Sequence, residues 1–176
     1  MGRVTFITGG AKSAKSIFAL KLALQYKKPR VFIATALAFD DEMKKRIDKH
    51  KKERMGEFDT IEEPIKLSNA IGSVSDSVSI CVVDCVTVWI NNILYYKKAE
   101  EVDLFIELLK NPPCDIIVVS NEVGMGIVPD NELSRRYRDL LGVTNRKIAK
   151  IADNVILMIS GIPVYIKKGD ILYGTT

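Results

Sequence analysis

Residues 9–16, GGAKSAKS, carry the first legible chemistry of this sequence. Gly9, Lys15 and Ser16 match the spacing G-x-x-x-x-G-K-[ST] of a phosphate-binding loop, and Ala14 stands where the second glycine is expected. In such a loop the backbone of Gly9, Gly10, Ala11, Lys12, Ser13 and Ala14, with the N-terminus of the following helix, wraps a phosphate chain. Lys15 adds positive charge and the Ser16 hydroxyl ligates magnesium. If the backbone needs positive φ at position 14, a Cβ there costs about 1–2 kcal/mol, which is expected to weaken nucleotide binding. The plainer alternative is a glycine turn opening an ordinary helix. Against it stand the apolar strand pattern from Val4 to Thr8 before the loop and the helical series Ile17, Phe18, Leu20, Leu22 and Leu24 after it.

A second acid belongs to sites of this kind, at the end of an apolar strand near the magnesium. SICVVDC supplies Asp84 there, although an aspartate is also common as a strand-end turn or helix cap. A third feature is DDEMKKRIDKHKKER, where seven of the eleven residues from Lys44 to Arg54 are basic. Asp40 or Asp41 can cap a helix here, with Glu42 in its first turn. Met43, Ile47 and His50 then share one face at i, i+4 and i+7, and Arg46 lies one turn before the sole histidine. Two readings stay open for His50: a partly buried side chain with a local hydrogen bond, or a neutral imidazole that attacks a nucleotide α-phosphate while Arg and Lys neutralise its charge. The basic run lacks interleaved aromatic platforms, so a nucleic-acid role is not expected.

These residues need a scaffold. At 176 residues and 47% hydrophobic content, one compact domain spanning 1–176 is the expectation. Charged residues make up 27% and the net charge is +4, so bulk charge does not point to nucleic acid either. Apolar runs at Val4 to Thr8, Val31 to Thr35, Val78 to Asp84, Asp115 to Ser120 and Val155 to Ser160 read as buried strands. Helical segments alternate with them, which predicts an α/β fold with a mainly parallel central sheet flanked by helices. The longest helix is expected from about Pro129 to Ala152, capped by Asp130 or Asn131, with Leu133, Tyr137, Leu140, Leu141, Thr144, Ile148 and Ile151 on one face. Glu62 to Pro64 and Asn111 to Pro113 read as turns, and Gly161, Ile162 and Pro163 as the join between two closing strands. No apolar run is long enough for a membrane span, so no transmembrane segment and a cytoplasmic location are expected. Cys81, Cys85 and Cys114 show no metal or disulfide pattern and read as small core residues.

Four segments together resemble a known family: the loop, IATALAFDDEMKKRIDKHKKER, VVDCVTVWINNIL and VVSNEVGMGIVPDNELSRRYRDLLGVTNRKIA. The likeness is to the bifunctional adenosylcobinamide kinase and adenosylcobinamide-phosphate guanylyltransferase family. It runs from residue 3 to about residue 167, and Asn121 to Pro129 is its most diagnostic stretch. The resemblance implies a RecA-like P-loop NTPase scaffold on which ATP or GTP phosphorylates adenosylcobinamide. It further implies that GTP guanylylates a histidine, releasing pyrophosphate, and that the GMP passes to adenosylcobinamide phosphate to give adenosylcobinamide-GDP. The family's R-I-x-x-H matches Arg46, Ile47 and His50, making His50 the guanylylated residue.

By the same resemblance, nucleotide contacts would come from Gly9 to Ser16, from Ala34, Thr35 and Ala36, from Lys51, Lys52, Glu53 and Arg54, and from Glu62 and Asp84. Magnesium would sit with Ser16 and Asp84, and the assembly would be a homotrimer. Read plainly, Glu62 and Glu63 before Pro64 are a solvated turn, and Arg135 and Arg138 are either phosphate-binding or paired with Glu132 or Asp139. Gly124 and Gly126 suit a loop closing over a bulky ligand, or a structural turn. The family pattern has glycine where this chain has Ala14, which places the expected defect on nucleotide affinity or the kinase step. Two other classes stand as alternatives: a GTP-binding protein without turnover, and a kinase for another small alcohol that forms no GMP adduct.

Overall fold

The computed structural model describes residues 2–37, 45, 51, 52, 54 and 56–169, and the backbone of 171 and 172. Among these, eight strands form one sheet: β1 (Val4–Gly9), β2 (Arg30–Ala34), β3 (Asp59–Glu62), β4 (Ile80–Asp84), β5 (Asp115–Val119), β6 (Asn154–Ile159), β7 (Ile162–Lys168) and β8 (Ile171–Leu172). Their order across the sheet is β3-β2-β4-β5-β1-β6-β7-β8. The pairings from β3 to β6 are all parallel, and β7 and β8 continue antiparallel. The helices are α1 (Lys15–Ala23), α2 (Leu67–Gly72), α3 (Val86–Tyr95), α4 (Glu101–Leu109) and α5 (Glu132–Ile151).

The near-continuous apolar runs of β2, β4 and β5 arise because both faces of a parallel sheet are covered. Successive side chains alternate between two cores. Phe6, Ile33, Val83 and Val118 face α2, α3, α4 and α5, where Trp89 and Phe105 meet edge to face at 5.2 Å. Ile7, Phe32, Val82 and Val119 face Ala19 and Ala23 of α1. Each fully buried large side chain contributes about 2 kcal/mol, so the sheet is held from both sides and its strand ends are firm anchors for loops. Cys81 and Cys114 are buried in the larger cluster, as expected of small core residues.

Several boundaries differ from expectation. Glu62 closes strand β3, and the turn falls at Glu63, whose Oε1 accepts from the N–H groups of Ile65 and Lys66, both at 2.8 Å. This strand is short, polar and at the sheet edge, where burial does not impose an apolar pattern. The final hairpin turns at Ser160 and Gly161, with φ of 51° and 85°, while Ile162 and Pro163 lie inside β7. Two consecutive positive φ values make the two-residue turn that matches strand twist. Pro163 is tolerated because β8 pairs only with Lys167 and Lys168. α5 begins at Glu132, with Asn131 as its cap accepting from the Ser134 N–H at 2.8 Å, and Leu133 is exposed rather than on the buried face. The expected helix cap at Asp40 or Asp41, and the shared face of Met43, Ile47 and His50, lie outside the described residues.

Candidate active site

β1 delivers the chain to Gly9, whose φ of 150° and close surroundings admit only glycine: a Cβ would stand 2.4 Å from the Met158 carbonyl oxygen. The loop then reverses through Lys12 (φ 55°) and Ala14 (φ 68°), both left-handed, and Ala14 is the N-cap of α1. The helix starts with the Phe18 N–H donating to the Ala14 carbonyl at 2.9 Å. The first-turn N–H groups have no intrahelical acceptor and therefore face the loop, the geometry that receives an anion. Position 14 thus does adopt the conformation in which its Cβ is strained.

Lys15 folds back into this loop. Its Nζ donates to the Gly10 carbonyl at 2.5 Å and to Ser13 Oγ at 3.3 Å, and both side chains belong to buried residues. Burial pushes the ammonium below the ordinary lysine value of 10.5, while Cys85 and Asp84 act in the opposite sense. Burial, followed by Asp84, pushes the Cys85 thiol up to about 11, so it is uncharged at neutral pH. Ser16 is half-buried in the first turn of α1.

Asp84 ends β4, separated from β1 by β5, and is half-buried. Ala34 of β2 pairs in register with Asp84 on one side and Glu62 on the other. Ala34 packs with the cluster around α1, so these three positions share the sheet face on which the loop opens. Lys51 and Arg54 are helical and reach the same face: Lys51 Nζ bridges Glu62 at 2.8 Å, and the Arg54 guanidinium lies 3.7 Å from the centre of the Phe32 ring. Lys52 is exposed. His50 and Glu53 lie outside the described residues.

Gly9 to Ser16, Ala34, Glu62 and Asp84 thus stand at or just beyond the carboxyl ends of β1, β2, β3 and β4, the side of an open α/β sheet where ligands bind, with Lys51 bridged to Glu62 and Arg54 buried over Phe32 within β2. Thr35 is different, being wholly buried with its polar groups spent inside the protein. Arg135 donates to the Pro129 and Asp130 carbonyls at 3.0 and 2.6 Å and so braces the helix entry, while Arg138 pairs with its neighbour Asp139 within α5. A one-carboxylate, one-hydroxyl donor set at Asp84 and Ser16 suits Mg2+, which is commonly held by few protein ligands plus substrate phosphates. Among the described residues there is no cluster of three or more His, Cys, Asp or Glu that could hold a metal by itself.

One element was not read from sequence. Ser120 Oγ donates to Asn145 Oδ1 at 2.7 Å, Asn145 Nδ2 to the Asn121 carbonyl at 2.9 Å, and the Asn121 N–H to Thr87 Oγ1 at 2.7 Å. The Glu122 N–H reaches the Gly9 carbonyl at 2.9 Å. This clamp seats the start of the Asn121–Pro129 loop against the phosphate loop. The signal was polar residues on otherwise buried positions of α3 and α5.

A parallel sheet with helices on both faces, a buried lysine in a strand-loop-helix turn and an acid two strands away define a P-loop nucleotide-binding protein of RecA-like architecture. The P4 protein from bacteriophage phi6 in complex with ADP shares the fold, with a TM-score of 0.51 at 16% identity over 99% of this chain and 58% of that one. The model of the family described as cobinamide kinase / cobinamide phosphate guanyltransferase matches residues 5–166. The bifunctional adenosylcobalamin biosynthesis protein CobP of Pseudomonas aeruginosa is 38% identical over 165 residues, covering 92% of this chain and 95% of the relative. CobU of Salmonella typhimurium, with the same description, is 36% identical over 179 residues, covering 92% and 98%. The chain belongs to the cobinamide kinase / cobinamide phosphate guanyltransferase family, and is a bifunctional transferase of adenosylcobalamin biosynthesis.

Proposed function

We propose that one site performs both transfers. In the first, the aminopropanol hydroxyl of adenosylcobinamide attacks the γ-phosphorus of ATP or GTP, the β–γ P–O bond breaks, and the nucleoside diphosphate leaves. Gly9 to Ser16 cradle the phosphates, with Lys15 charging the loop and Ala34 and Ala36 bordering the nucleotide. Mg2+, held by Ser16 and Asp84, would neutralise phosphate charge when bound.

In the second transfer, an imidazole nitrogen of His50 attacks the α-phosphorus of GTP. An N–P bond forms, the α–β P–O bond breaks and pyrophosphate leaves; a phosphate oxygen of adenosylcobinamide phosphate then displaces His50 and takes the GMP. The observation that carries this reading is the Lys51–Glu62 bridge, because Lys51 follows His50 directly and is tied to the strand end beside Ala34 and Asp84. On the same reading Lys52 and Arg54 supply positive charge and Glu53 a nucleotide contact.

The chain acts as one catalytic domain, in the cytoplasm, as a homotrimer, and does not use nucleic acid. The exposed apolar side chains of β7, Ile162 and Val164 among them, support burial between subunits. Among the described residues no helix is long and apolar enough to cross a membrane. The test is incubation with α-labelled GTP and Mg2+: acid-labile label should appear on wild type and not on His50→Ala. Label retained by that variant would overturn the histidine assignment, and sedimentation as a monomer would overturn the trimer.

A further inference from the structure

Asn92 is an unexpected residue for its position. It is wholly buried on α3, flanked by the core residues Trp89, Ile90 and Ile93. Its Nδ2 donates to the Thr35 carbonyl at 2.8 Å and to the Pro64 carbonyl at 3.1 Å, while Oδ1 has no hydrogen-bond partner among the described residues. An unpaired buried acceptor costs about 1–3 kcal/mol, and an apolar side chain would avoid that cost only by leaving the Thr35 and Pro64 carbonyls without their donor. The unpaired Oδ1 itself gives no reason for an amide here.

The partners of Nδ2 supply one. Thr35 is the first residue beyond β2, and Pro64 lies two beyond β3. Thr35 Oγ1 donates to the Cys85 carbonyl and accepts from the Cys85 N–H, both at 2.9 Å, and the Thr35 N–H donates to the Asp84 carbonyl at 3.4 Å. The Asn92 side chain thus joins the exits of β2 and β3, and Thr35 carries the link on to the exit of β4, at the level where Glu62, Ala34 and Asp84 stand in register. Trp89, one turn earlier on α3, adds a bond from Nε1 to the Ile65 carbonyl at 2.7 Å.

We propose that Asn92, acting through Thr35, is a positioning residue that fixes the strand ends so that the Asp84 carboxylate faces the Lys15 loop. Neither residue touches substrate in this role. The inference rests on the proposed metal-side role of Asp84. Loss of a residue that orients a metal ligand typically costs ten- to a hundredfold in metal affinity or activity.

The test is the Mg2+ dependence of cobinamide phosphorylation in Asn92→Leu, Thr35→Val, Thr35→Ser and Asp84→Asn, with Trp89 fluorescence reporting the folded fraction. Asn92→Leu and Thr35→Val should each raise the Mg2+ concentration for half-maximal rate about tenfold per folded molecule, with metal-free nucleotide affinity nearly unchanged. Thr35→Ser, which keeps the hydroxyl, should restore the wild-type Mg2+ dependence. If Asn92→Leu does not fold, the Thr35→Val and Thr35→Ser pair decides. Unchanged Mg2+ dependence in the folded Asn92→Leu and Thr35→Val proteins, with Asp84→Asn shifted, overturns the inference. Unchanged dependence in Asp84→Asn instead overturns the Asp84 reading on which it rests.

Discussion

Glu62 and Asp84 stand two strands apart on one line across the sheet, each paired in register with Ala34. Adjacent strands lie about 4.8 Å apart, so the two backbones are separated by roughly 10 Å, with Ala34 between them. The two acids should behave differently. On the proposed metal-side role of Asp84, Asp84→Asn should lower kcat for phosphorylation on the order of a hundredfold with little change in thermal unfolding. Glu62 is exposed and bridged to Lys51, a pair worth less than about 1 kcal/mol. Glu62→Gln should leave stability almost unaltered while reducing the preference for GTP over ATP in adduct formation, as competition assays would show.

Lys15 predicts an alkaline pH effect. Burial lowers its pKa in the folded protein, so between that lowered value and the ordinary 10.5 the unfolded chain binds more protons. Unfolding free energy from this group therefore rises with pH across that window. A bound triphosphate favours the charged ammonium, so nucleotide affinity should fall as pH rises through the same window. Titration calorimetry at several alkaline pH values should show this fall in wild type and lose the Lys15 contribution to it in Lys15→Met.

Ala14 carries its left-handed strain as the N-cap of α1, with the helix's first bond ending on its carbonyl. The cost is therefore tied to folding of the loop itself, and relief should appear mainly as stability. Ala14→Gly should raise unfolding free energy by up to about 1 kcal/mol, net of the glycine's greater unfolded-state freedom, with a smaller change in triphosphate affinity. Denaturant unfolding and equilibrium binding of the same two proteins separate the terms. A gain confined to affinity would show that nucleotide binding, rather than folding, imposes the strain.

Gly9 is the converse case. A methyl at this position meets the backbone oxygen of Met158 at 2.4 Å, which no side-chain rotation relieves. Gly9→Ala should lower stability by about 3 kcal/mol and reduce nucleotide binding with it, measurable by thermal unfolding with and without GTP.

Much of the scaffold was legible because burial on both sheet faces forces apolar runs, and the strand-loop-helix order around Gly9 to Ser16 is local. Asp84 was legible for the same reason, as an acid ending a run of buried residues. β3 was not, since an edge strand with Asp59 and Glu62 at its ends carries no burial signature. Thr35 was read as a nucleotide contact from family likeness, yet its hydroxyl is committed to the Cys85 backbone across 50 residues of sequence.

Sequence alone determined the phosphate loop, its lysine, the alternation of strands and helices, and the family to which the chain belongs, because each rests on neighbouring residues or on a long shared pattern. Only the tertiary structure decided that Glu62, Ala34 and Asp84 fall on one line, that Lys51 reaches Glu62, and that Asn92 ties the exits of β2 and β3 together. Strand order and register set those relationships. They arise from packing between segments tens of residues apart, which local propensity does not encode.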